Sequence, residues 1–167
     1  KLVTQFPSVY LCVKPHTRGG SGKVYKQYPE LSDGSITNLQ FIFDDTHSSS
    51  LLEWADVVLD LGTSIAFEAI VKKIPVLCLE YLHANRSTIA TYIKNCDIQC
   101  RDDLFHYITK FIEEGTDEFY NKNEIQMFID KMINIDDNNV LDKYVTFLET
   151  SLYSKSIKTN NVNSLDA

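Results

Sequence analysis

ADVVLDLGTSIAFEAIVKKIPVLCLE, residues 55–80, decides how this chain folds. The spacing predicts a strand over 56–61, a turn of small residues at Gly62, Thr63 and Ser64, a helix, and a second strand over 76–80. In the helix Ile65, Ala66, Ala69 and Ile70 share one apolar side. Both strands are continuous apolar runs, which suits strands covered on both faces of a parallel sheet, not the alternating pattern of a half-exposed one. A connection that contains a helix makes them parallel neighbours. Ligands of such sheets bind beyond the carboxyl ends of the strands, and here that end carries Thr63 and Ser64. A helix start there offers main-chain N–H groups and a positive dipole end to an anion. The simpler role, an N-cap hydroxyl with Glu68 on an exposed helix face, stays open from these residues alone.

From Asp60 onward, DLGTSIAFEAIVKKIPVL resembles the nucleotide-sugar signature of the C-terminal domain of GT-B glycosyltransferases. In retaining members an acidic residue, seven intervening residues and a Glu are followed by Ala, a helix end, Pro and an apolar strand. Asp60, Glu68, Ala69 and Pro75-Val76-Leu77 stand in that order. The resemblance implies that Glu68 accepts hydrogen bonds from the ribose hydroxyls and that Thr63 and Ser64 hold the diphosphate. Asp60, at the position of the usual Glu, would contact the donor sugar as a catalytic residue. Inverting capsule-type and glycerophosphate-type transferases, and nucleotide-sugar 2-epimerases, carry similar loops, so the stereochemical outcome stays open.

Residues 8–14, SVYLCVK, read as the first strand, and KPHTRGGSGK follows it. Pro15, Gly19, Gly20 and Gly22 force an irregular loop that carries Lys14, His16, Arg18 and Lys23. It is not a P-loop: Thr17 stands where the first Gly belongs, and Val24 where a Ser or Thr would hold magnesium. A similar Lys-Pro-His segment follows the corresponding strand in capsule-type and glycerophosphate-type transferases. By that resemblance Lys14 and Arg18 neutralise the leaving diphosphate, and His16 joins Asp60 as a catalytic candidate. Fixed cations lower the barrier where charge builds on a leaving group. The alternative is a solvated basic loop.

Residues 25–37 are turn-rich, with room for a short helix. Residues 38–43 form the second strand, Asp44 and Asp45 follow, and a helix from Thr46 or Ser48 runs through Trp54, which reads as a helix-end packing residue. An acid pair after a strand also resembles a receiver domain that binds magnesium. Only fifteen positions separate Asp45 from Asp60, however, too few for the extra strand and helix that a receiver needs. After the strand at 76–80 comes YLHANRST, where Asn85 to Thr88 open a helix reaching about Asn95. Arg86 there either holds the diphosphate or pairs with a nearby acid. His83 is either a general base or a solvated loop histidine.

A short strand at 97–100 precedes a helix over 102–114, with Asp102 and Asp103 suited to its start and Gly115 to its end. Two amphipathic helices, 118–135 and 140–154, follow, and a polar tail occupies 155–167. The domain is therefore expected to span 1–154.

The net charge of −7 is unevenly spread. Residues 1–37 carry five Lys or Arg against two acids, whereas residues 101–150 carry five against twelve. The acidic half argues against nucleic acid as a partner, because a polyanion needs a basic footprint. No apolar run reaches the roughly 18 residues of a membrane span, and no signal peptide is apparent, so a cytoplasmic location is expected. The four cysteines, Cys12, Cys78, Cys96 and Cys100, show no Cys-x-x-Cys pair, which points to free thiols and no structural zinc.

The fold expected is an α/β, doubly wound, Rossmann-like parallel sheet of about five strands with extra C-terminal helices. By resemblance it is the C-terminal half of a GT-B glycosyltransferase that uses a nucleoside diphosphate sugar, with no cofactor and no DxD-bound metal, in surface glycan synthesis. The partners implied are the nucleotide-sugar donor, a glycan or lipid-linked acceptor, and an N-terminal GT-B domain beyond this chain, which begins at Lys1 and not at Met. The alternatives are a nucleotide-sugar 2-epimerase and a non-catalytic domain of the same architecture.

Overall fold

Five short strands, all paired in parallel, carry the fold among the described residues. The computed structural model describes residues 1–15, 26, 28–31, 35–133, 139 and 141–150. The chain divides into two compact units, Lys1–Phe128 and Ile129–Ala167.

In the first unit, β1 (Leu11–Val13) pairs with β2 (Leu39–Phe41) in a two-stranded sheet, Cys12 opposite Gln40. The second sheet has the order β3 (Val58–Asp60), β4 (Val76–Leu79), β5 (Asp97–Ile98). Asp60 stands opposite Cys78, and Cys78 opposite Asp97. All five predicted strands are present, each shorter than its predicted span. Their ladders form two sheets instead of one continuous layer. Burial shows the difference between them: β4 is buried along its whole length, whereas β1 and β2 keep partly exposed side chains at nearly every position.

Among the described residues the strands are accompanied by helices α1 (Leu2–Gln5), α2 (Ser48–Leu52), α3 (Ile65–Val71), α4 (Thr88–Tyr92), α5 (Arg101–Glu114) and α6 (Lys122–Met132). The core of the first unit is built from β4, from Ala66, Ala69 and Ile70 of α3, and from Ile89, Ile93, Cys96 and Ile98. Phe128 completes it, fully buried, with its ring 5.5 Å from Phe67 and 5.9 Å from Tyr92.

Local chemistry sets the element ends. Helix α3 stops in a Schellman turn, with Lys73 N–H donating to the Ile70 carbonyl and Ile74 N–H to the Ala69 carbonyl, both at 2.9 Å. Lys73 takes φ 61° there, a left-handed position where glycine is usual. The chain then enters β4 past Tyr120, whose hydroxyl donates to the Ile74 carbonyl (2.8 Å) and accepts from Val76 N–H (3.0 Å). Asn121 accepts from the N–H groups of Asn123 and Glu124, so α6 begins there and not at 118. Gly115 ends α5 as expected, with φ 82°.

In the second unit residues 141–150 are helical, and Leu141, Tyr144, Val145 and Leu148 fall along one side by helical spacing. The expected tail, 155–167, lies outside the described residues. No helix among the described residues is long and apolar enough to cross a membrane.

Candidate functional site

A cleft of about 330 Å³ opens beyond the carboxyl ends of β3 and β4, where the parallel strands place it. One wall is the turn from Leu61 to Ser64 and the other is the segment from Asn85 to Ile89, with Cys78 and Glu80 between them.

Asp60 fixes the first wall. Its carboxylate is 2% exposed and accepts from Gly62 N–H at 3.1 Å, from Thr63 N–H at 2.8 Å and from the Thr63 hydroxyl at 2.7 Å. A buried carboxylate needs such donors, and this set winds the chain tightly after β3. Gly62 takes φ 84° within that turn, a backbone conformation that side chains resist. Both hydrogen-bond donors of Thr63 are therefore directed at Asp60. Ser64 lines the cleft at the start of α3, and its side chain makes no capping hydrogen bond.

Glu80 fixes the second wall. Its two oxygens accept from Ser87 N–H at 3.0 and 3.1 Å. Ser87 then caps α4, its hydroxyl accepting from Ile89 N–H at 3.1 Å. This cap explains why α4 begins at Thr88 and leaves Asn85 and Arg86 in a loop. His83 stands over Gly62: a Cβ added to Gly62 would lie 3.6 Å from its Nε2. Its Nδ1 is 2.8 Å from the Asn85 carbonyl oxygen and 3.1 Å from Asn85 N, so either ring tautomer finds a partner there. At the floor, burial pushes the Cys78 thiol up to about 11, with the Ser87 hydrogen bond opposing and the charges of Asp60 and Glu80 adding to the rise.

Of the residues predicted from sequence, the cleft brings together Asp60, Thr63, Ser64 and Arg86. Arg86 is ion-paired to Asp97 at 2.7 Å. Glu68 does not line the cleft. It accepts from the Ser49 hydroxyl of α2 at 2.6 Å and faces Lys72 at 3.6 Å, one turn further along α3. Lys14 donates to the Asp44 carbonyl at the end of β2 and does not line the cleft. His16 and Arg18 lie outside the described residues. Glu80 and Cys78 join the site without a sequence signal of their own, since both read as parts of an apolar strand and its end.

Among the described residues no group of three or more His, Cys, Asp or Glu side chains is arranged to hold a metal ion. All four cysteines are free. No family model, curated protein or solved structure matches the chain.

Proposed function

We propose that the cleft beyond β3 and β4 receives the nucleoside diphosphate part of a sugar donor, and that the chain is the nucleotide-sugar-binding half of a GT-B glycosyltransferase acting in surface glycan synthesis. The supporting observation is where the cleft lies: the DLGTS turn that resembles the donor-binding loop forms one wall of an open crevice at the carboxyl ends of two adjacent parallel strands. At about 330 Å³ it is near the lower end of ligand-pocket sizes, suited to part of a donor and not to donor and acceptor together. A second domain would then supply the acceptor side, and the two sheets would belong to one doubly wound layer.

In this reading Asp60 shapes the turn and Ser64 and Arg86 contact the phosphates. By the resemblance, Lys14, His16 and Arg18 would neutralise the leaving diphosphate. Glu68 would reach the ribose only by giving up Ser49.

The partners already held within the chain by Asp60, Thr63, Glu68, Lys14 and Arg86 favour a second reading, a domain that keeps the architecture without binding donor. Thermal melts of the chain with UDP, CDP, ADP and GDP separate the two. Binding raises the melting temperature with the logarithm of ligand excess over Kd. A rise with at least one diphosphate supports the donor-binding reading, and unchanged melts with all four support the second.

A further inference from the structure

Arg86 stands on the cleft wall with its side chain 61% exposed, while its partner Asp97, at the start of β5, is 19% exposed and fixed in the strand ladder. We propose that Asp97 holds Arg86 in reserve: a phosphate entering the cleft takes the guanidinium from Asp97, so this carboxylate sets the anion affinity of the site. The inference rests on the nucleoside diphosphate reading and adds the residue pair that governs it.

Several features make the exchange feasible. The Arg86 contact to Asp97 uses one nitrogen, Nη2, of a group with five N–H donors arranged as a planar fork. Phosphate takes that fork through two parallel bonds. Asp97 is not abandoned when Arg86 leaves, because Gln99 Nε2 also donates to its other oxygen. The pair is solvent-exposed on the arginine side, and ion pairs of that kind are weak enough to be exchanged. The other carboxylates of the cleft are engaged by its own walls: Asp60 accepts from the N–H groups of Gly62 and Thr63, and Glu80 from Ser87 N–H. His83, whose Nε2 has no hydrogen-bond partner among the described residues, adds a polar contact on the same side.

A ligand that must first release a binding group binds more weakly by the fraction of time that group is unavailable to it. Removing the charge of Asp97 should therefore tighten binding, a gain that a merely bracing role for the pair would not produce. The test is calorimetric titration of UDP into the full chain and into Asp97→Asn, Arg86→Ala and the double variant, with thermal melts confirming folding and Asp97→Ser as a second charge-removing variant. The expected result is affinity about two- to fivefold tighter for Asp97→Asn, from the strength of an exposed pair. Arg86→Ala should bind about tenfold more weakly, and adding Asp97→Asn to it should change nothing further. Unchanged or weaker binding by both Asp97 variants, or wild-type binding by Arg86→Ala, overturns the inference and leaves the cleft reading standing. No UDP binding by any of the proteins overturns both.

Discussion

Asp60 and Thr63 are bound to each other: one carboxylate oxygen accepts both the Thr63 N–H (2.8 Å) and the Thr63 hydroxyl (2.7 Å). Asp60 is thus the support of the turn that follows it. Asp60→Ala would leave the N–H groups of Gly62 and Thr63 without their acceptor. Hydrogen bonds to a charged group contribute about 1.5–3 kcal/mol each, so a stability loss of at least that size is expected in urea unfolding. Thr63→Val, which keeps the N–H bond and removes the hydroxyl, should cost less. Equal stability of Asp60→Ala and wild type would show that the turn does not depend on this carboxylate.

Glu68 and Ser49 tie α3 to α2 through a 2.6 Å hydrogen bond. A double-mutant cycle with Glu68→Ala and Ser49→Ala is expected to give a coupling of about 0.5–1.5 kcal/mol in unfolding free energy. The same cycle read by UDP affinity tells whether Glu68 also serves the ribose: weaker binding by Glu68→Ala but not by Ser49→Ala assigns that role, and equal binding by all variants removes it.

Alkaline pH should unfold the chain by a route that the core dictates. Burial raises the Cys78 thiol from its ordinary 9.0 to about 11, and it raises Cys96 and Tyr120 as well. Between these values the unfolded chain has lost protons that the folded chain keeps. The unfolded state then binds fewer protons, and stability falls as pH rises. Urea midpoints should be insensitive to these groups below pH 9 and drop between pH 9 and 11, with a smaller drop for Cys78→Ala. Midpoints that stay level to pH 11 would contradict the burial of these groups.

The strands at 56–61 and 76–80 were legible because their apolar runs are continuous, and Pro75, Gly62 and Gly115 marked where the chain turns. The assembly of the strands into two sheets was not legible. Residues 8–14 and 38–43 look as apolar as 76–80, and only the packing reveals that β4 is enclosed while β1 and β2 are not. At the site, DLGTS lines one side of the cleft, since a small polar turn after a parallel strand lies at that strand's carboxyl end. The direction of each side chain was beyond the pattern. Spacing puts Glu68 one turn into α3 but cannot say that Ser49, nineteen residues earlier, claims it. Arg86 carried two readings, a phosphate or a nearby acid, and the partner it meets is Asp97. Glu80 went unnoticed because its role depends on Ser87, brought back to it by the fold.

The most direct measurement is a two-dimensional amide NMR titration of the labelled chain with UDP. Saturable shifts are predicted for Gly62, Thr63, Ser64, Asn85, Arg86 and Ser87, the two facing walls of the cleft, with little change in the buried strand β4 away from its carboxyl end. An unchanged spectrum at millimolar UDP, or shifts confined to residues away from both walls, would contradict the assignment of this cleft to a nucleoside diphosphate.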